Sequence, residues 1–159
     1  MPSALKKSLM KTHSRLLFLD DLPEFTTKLA KSIVTGDIVS LTGEIGAGKT
    51  TFIFYLLRAL GVSQNTAFSS PTFTILNQYE TQAQHATPLL INHVDLYRLS
   101  RFAELEALDI IPLFEAPNTV SFIEWGDKFN ELKSLYTKTL HFEYVDSKNL
   151  ERWVQFEGF

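Results

Sequence analysis

The stretch GEIGAGKTT at residues 43–51 limits what this chain can fold into more than any other feature. Gly43, four intervening residues, Gly48, Lys49 and Thr50 satisfy the pattern G-x-x-x-x-G-K-[ST]. Glycines at these places let the backbone take positive φ and curl until successive N–H groups point inward. The following helix presents its positive end, the lysine reaches the β and γ phosphates of a nucleotide, and the hydroxyl meets Mg²⁺. Glu44, Ile45 and Ala47 are expected to act through backbone amides; Gly46 and Thr51 complete the cradle. At average glycine usage four such fixed positions arise by chance in roughly one chain of this length in a few hundred. The mechanism also requires a strand before the loop and a helix after it. DIVSLT runs unbroken into Gly43, and a helix is expected over residues 49–60, with Gly61 just beyond its end.

The rest of the chain alternates in the same way. RLLFLD at residues 15–20 reads as a strand, and DLPEFTTKLAKSI as a helix whose Phe25, Leu29 and Ile33 share a face before Gly36 ends it. SSPTFTILNQYE opens with turn residues and becomes a strand. TQAQHATP is a polar loop, and LLINHVDLYRL a further strand. Ser100 is expected to cap a short helix, RFAELEALD, with Phe102, Leu105 and Leu108 on one side. NTVSFIEW, TLHFEYV and RWVQFEGF supply the last strands, with DSKN as the turn between the final two. This order predicts an α/β, P-loop NTPase-like fold of three layers. Its mixed sheet is parallel around the phosphate loop and antiparallel towards the C-terminus.

Composition narrows the function classes. The chain has 159 residues, enough for one domain, of which residues 1–14 are expected to form a flexible basic arm. Lys6, Lys7, Lys11 and Arg15 fall in the first 19 residues, which hold no acid, yet the apolar patch LLFL is too short for a signal-peptide core. With 15 basic and 18 acidic residues the formal net charge is −3, so any RNA contact is local or made through a partner. No cysteine is present, which excludes disulfides and thiolate chemistry. A cytoplasmic location is expected.

A cradle alone is not an enzyme. Hydrolysis also needs an acid to hold Mg²⁺ or its waters and a group to position the attacking water. Asp95 ends LLINHVD and Glu124 ends TVSFIE, each at the C-terminal edge of an apolar strand, where ligands of open α/β sheets collect. Either acid serves equally as a loop cap or an ion-pair partner of Arg98 or Lys128. In SSPTF, Thr72 is the best-placed ligand-facing hydroxyl of a segment that senses the γ-phosphate; a plain proline turn fits the same residues. His13, His85, His93 and His141 show no metal-ligand spacing.

GEIGAGKTT, SSPTFTILNQYE, HVDLYRL at residues 93–99 and IEW at residues 123–125 together resemble the TsaE (YjeE) family, over about residues 20–154. These are small bacterial P-loop ATPases of tRNA threonylcarbamoyladenosine synthesis. The resemblance implies a single ATPase domain that binds ATP or ADP with Mg²⁺ and works with TsaD-like and TsaB-like partners. Those partners modify the adenosine beside the anticodon of tRNAs reading codons that begin with A, so tRNA is met indirectly. It also implies that Lys49 and the loop amides bind phosphates, that Thr50 and Glu124 hold Mg²⁺, and that Asp95 supports hydrolysis. Thr72 lies in a switch-like segment, Trp125 beside the nucleotide, and the adenine near Leu19 and Asp20. His93 and Tyr97 would serve a partner or the switch, and Arg98, Arg101 and Arg152 phosphate, partner or surface ion pairs. One departure is visible: Gly126 follows Trp125 where the family often has proline, so Trp125 is expected to be held less rigidly.

Two other enzyme classes and a binding module compete. A small-molecule kinase shares the loop and the length, but no distinct lid is visible. A GTPase would carry N-K-x-D and D-x-x-G segments, and neither occurs. In a non-hydrolysing module, ATP would only fix a docking surface.

Overall fold

Strand alternation and helical periodicity bury two apolar layers, one on each face of a single sheet. The structure is a computed structural model that describes residues 12–82, 88–145 and 151–159. Its strands are β1 (Thr12–Leu17), β2 (Ile38–Gly43), β3 (Leu76–Glu80), β4 (Leu90–Asp95), β5 (Thr119–Glu124), β6 (Lys138–Tyr144) and β7 (Arg152–Glu157). They lie in the order β1-β7-β6-β2-β5-β4-β3. Pairing is parallel from β6 through β2 and β5 to β4. It turns antiparallel at both edges, where β3 joins β4 and β7 joins β6 and β1. The mixed sheet is the one expected; the return of β1 to the far edge is an addition that no local sequence signal carried.

On one face lie α1 (Leu22–Ala30) and α2 (Lys49–Ala59), whose Phe25, Leu29, Phe52, Ile53, Leu56 and Leu57 are buried against Val39, Leu41, Val120 and Phe122. On the other lie α3 (Phe102–Ala107), α4 (Ile111–Phe114) and two 3₁₀ turns, Gly126–Lys128 and Asn130–Leu132. There Leu105, Phe114, Phe129 and Leu132 meet Ile38, Val94 and Ile123. At ~1.5–3 kcal/mol for each fully buried large side chain, these two layers supply most of the force for folding. α2 ends as a Schellman motif. Gly61, at φ +97°, donates its N–H to the Arg58 carbonyl (3.1 Å), and Val62 donates to that of Leu57 (3.0 Å).

Several boundaries differ from expectation. β1 begins at Thr12, so residues 12–14 lie in the sheet and not in a basic arm; residues 1–11 fall outside the described residues. α1 stops at Ala30, well before Gly36, where the Ser32 hydroxyl donates to the Leu29 carbonyl (2.7 Å) and competes with further helix. Ser100 does not cap α3. That helix starts at Phe102, and Glu104 accepts the N–H groups of Ser100 (2.8 Å) and Arg101 (3.2 Å), while Leu108 is exposed. α4 was unexpected, because Pro112 reads as a breaker; in the first turn of a helix its missing N–H costs nothing. Part of TQAQHATP and the DSKN turn lie outside the described residues.

Candidate nucleotide site

The loop between β2 and α2 is curled through Gly43, Gly46 and Gly48, all at positive φ. Glycine is needed sterically as well as conformationally. A Cβ on Gly43 would fall 2.4 Å from the Phe142 carbonyl oxygen, and one on Gly46 would fall 2.6 Å from the Tyr144 hydroxyl. That hydroxyl donates to the Ile45 carbonyl (3.1 Å), so β6 braces the loop from behind. Lys49 opens α2, its buried ammonium donating to the carbonyls of Gly43 (2.6 Å) and Glu44 (2.9 Å). The same ammonium lies 4.1 Å from the centre of the Trp125 ring, a cation–π contact. Burial pushes its pKa below the ordinary lysine value, and the carboxylates of Glu124, Asp95 and Asp127 pull the other way.

Alternation places both acids beside this loop. Val120, Phe122 and Glu124 point to the α2 face of β5, as do Ile91, His93 and Asp95 on β4, and in the register Asp95 stands opposite Glu124. Each run is apolar while it lies under α2 and turns polar where the helix begins. The Thr50 hydroxyl lies within bonding distance of both Glu124 oxygens (2.9 and 3.1 Å), and His93 Nε2 lies 2.7 Å from Oε1. Asp95 accepts the Thr72 hydroxyl (2.7 Å) and the Tyr97 N–H (2.9 Å). Neither acid takes the ion-pair role weighed for it. Lys128 donates instead to the carbonyls of Leu96, Tyr97 and Leu99, and the Arg98 guanidinium lies 4.7 Å from the Phe73 ring centre.

The switch-like segment has a fixed geometry. Ile75 donates its N–H to the Pro71 carbonyl (2.6 Å) and sits at φ +68°, a costly conformation for a β-branched residue. Its carbonyl accepts the Asp95 N–H (2.9 Å), so the turn carrying Thr72 is tied to the end of β4.

Trp125 makes two ring contacts although glycine follows it. Its backbone is left-handed (φ +62°), a region that a following proline disfavours, and its ring meets Lys49 and, at 5.2 Å, Tyr97. Gly126 is buried, and a Cβ there would fall 1.9 Å from the Tyr136 hydroxyl. The turn is packed for glycine.

Ile45, Gly46, Gly48, Lys49, Thr50, Thr51, Thr72, Asp95, Tyr97, Glu124 and Trp125 line one cavity of about 300 Å³; Gly43, Glu44 and Ala47 lie outside its lining. Across the loop a second cavity of about 160 Å³ is walled by Leu17, Phe18, Leu19, Leu22, Phe142 and Val154 and reaches Thr51 and Arg152. Leu19 lines this second cavity, and Asp20 does not. Arg152 stacks 4.1 Å from the Tyr144 ring centre, and Arg101 pairs with Glu104 (3.4 Å). Among the described residues no cluster of three His, Cys, Asp or Glu could cage a metal. The hydroxyl and carboxylate of Thr50 and Glu124 nevertheless suit Mg²⁺, which takes one or two protein ligands and completes its shell with phosphate and water oxygens.

His93 is the residue whose place here was missed. Its expected role was at a partner or the switch; its position two residues before Asp95, on the same strand face, was the signal that put it beside the acids.

Residues 19–154 match the family model for the threonylcarbamoyl adenosine biosynthesis protein TsaE. A Synechocystis tRNA threonylcarbamoyladenosine biosynthesis protein TsaE is 35% identical over 131 residues, 79% of this chain and 78% of that one. The Aquifex aeolicus protein of the same name is 37% identical over 83 residues, 52% of this chain and 59% of its own length. In fold, the chain is similar to the crystal structure of Bacillus subtilis YdiB, with a TM-score of 0.63 at 23% identity over 94% of this chain and 86% of that one. With its glycine-rich loop and strand-end acids inside the matched span, this chain belongs to the TsaE family of tRNA threonylcarbamoyladenosine biosynthesis proteins.

Proposed function

We propose that this chain is a Mg²⁺-dependent ATPase, acting as one domain in the cytoplasm, whose nucleotide cycle supports turnover of a complex of TsaD-like and TsaB-like partners. One observation carries the reading: Lys49, Thr50, Glu124 and the Thr72–Asp95 pair converge on a single cavity at the end of β2. The loop amides other than that of Ala47, which donates to the Glu44 carbonyl (3.1 Å), and the Lys49 ammonium would bind the phosphates, Lys49 exchanging its two carbonyl partners for phosphate oxygens. Thr50 and Glu124 would hold Mg²⁺, which would supply charge neutralisation to the phosphates. Asp95, steadied by Thr72 and the Tyr97 amide, accepts a hydrogen bond from the attacking water and orients it. The adenine enters the apolar cavity beside Leu19 and Phe18. The net charge of −3 favours reaching tRNA through the partners, which carry the chemistry at the adenosine beside the anticodon.

The test is mass analysis of tRNA nucleosides in cells depleted of this protein and supplied with wild type or Glu124→Ala. Threonylcarbamoyladenosine should fall on depletion and return only with wild type. In parallel, purified chain given γ-labelled ATP should release free phosphate, faster when both partners are added. Label on a small metabolite would favour a kinase, and full rescue by Glu124→Ala would leave only a binding module.

A further inference from the structure

Glu124 is gripped from two sides. Thr50 donates from α2, and on the sheet His93 Nε2 lies 2.7 Å from the Oε1 that Thr50 also reaches. His93 is fully buried, and its ring lies 5.7 Å from that of Phe68 at an interplanar angle of 11°. Phe68 stacks in turn on Tyr79. A carboxylate whose oxygens already draw the Thr50 hydroxyl acts as acceptor towards the imidazole, so Nε2 supplies the proton. Nδ1, by contrast, is buried without a hydrogen-bond partner among the described residues. An apolar residue would fill this place without leaving a ring nitrogen unsatisfied. The polar ring is therefore explained by its single bond to Glu124.

We propose that His93 is a positioning residue: clamped by Phe68, it holds the Glu124 carboxylate in the orientation that receives a divalent cation bound with nucleotide. The proposal rests on the reading of the loop as a Mg²⁺–nucleotide site. His93 touches neither phosphate nor metal and acts through Glu124 alone. Without it, the carboxylate keeps Thr50 as its partner but is free to turn about its last side-chain bonds. Losses at such supporting partners typically reach about 10- to 100-fold in metal affinity or activity.

The test compares wild type with His93→Phe, which keeps a stacking ring and deletes the donor, and His93→Gln, whose amide nitrogen reaches the place of Nε2. Mn²⁺, the paramagnetic probe for the cation, is titrated by electron paramagnetic resonance into protein saturated with ADP, and ADP affinity is measured separately in EDTA. His93→Phe should weaken Mn²⁺ retention about tenfold or more, His93→Gln should recover most of that loss, and ADP affinity in EDTA should be equal in all three. Circular dichroism confirms that each variant is folded. Wild-type Mn²⁺ retention in a folded His93→Phe would overturn the role of His93, as would failure of a folded His93→Gln to recover it. Absence of Mn²⁺ retention by the wild type would instead overturn the nucleotide-site reading itself.

Discussion

β2 begins at one buried polar cluster and ends at another, and their difference separates a cluster closed on itself from one that faces a cavity. At the N-terminal end, Asp37 accepts the buried Lys138 ammonium (2.7 and 2.8 Å), the Thr137 hydroxyl (2.8 Å) and the Val34 N–H (2.8 Å). Charge and hydrogen bonds there are closed within the protein. At the C-terminal end, Lys49 bonds two carbonyls and faces a ring among the described residues, although Glu124 and Asp95 are close enough to pull on its pKa. The first lysine is spent on a carboxylate. The second is kept available beside an open cavity, at the edge where parallel strands gather ligands.

The sharpest way to break this contrast is to remove each cluster's key charge in turn. Asp37→Ala leaves the Lys138 ammonium buried without its counter-ion, a change that costs ~3–5 kcal/mol. Urea denaturation should show that loss, while the ATP affinity of the folded fraction stays at the wild-type value. Lys49→Ala should do the reverse. Its urea midpoint should move far less than that of Asp37→Ala. Its ATP affinity, measured by calorimetry, should fall about 30-fold at the least, the effect of losing ~2 kcal/mol from one charge-assisted phosphate contact. Equal destabilisation by the two variants would erase the distinction.

The two ends were also unequally legible in the sequence. The glycine-rich loop could be read because its demands are local: positive φ at fixed glycines, a strand before and a helix after. Glu124 and Asp95 could be placed because each closes an apolar strand. The Asp37–Lys138 pair spans 101 positions and leaves no pattern, since a single Asp and a single Lys at strand starts look like ordinary surface charges. The pairing of β1 with β7 was hidden for the same reason: pairing between strands so far apart along the chain is set by the whole sheet. His93 lay between these cases. Its strand and face followed from alternation, but its bond to Glu124 needed the register of β4 against β5.

A smaller effect probes the turn that carries Trp125 over Lys49. Gly126→Ala would place a methyl 1.9 Å from the Tyr136 hydroxyl, 2.8 Å from its ring carbon Cζ and 3.3 Å from Ile123 Cγ2. Overpacking of this kind costs ~1–3 kcal/mol. Trp125 fluorescence, read in a background where Trp153 is replaced by Phe, should change with it, because displacing the turn alters the contact with the Lys49 ammonium. Adding Tyr136→Phe should recover only part of the stability, since removing the hydroxyl leaves the clash with Cζ.

The smallest effect is the pH dependence of Tyr136 itself. Burial pushes its phenol well above the ordinary value of 10.0. The unfolded chain therefore gives up this proton first as pH rises, and binds fewer protons than the folded protein above pH 10.0. Whatever stability the neutral phenol carries is complete below that pH and is lost as pH climbs towards the folded pKa. Tyr136→Phe cannot titrate, so the stability of wild type relative to this variant should hold steady from neutral pH and decline in the alkaline range. Groups present in both proteins, Lys49 among them, drop out of the difference. A difference that stayed flat to the alkaline limit of folding would mean that water reaches the phenol, and that the turn beneath Trp125 is less tightly closed than the Asp37 end of β2.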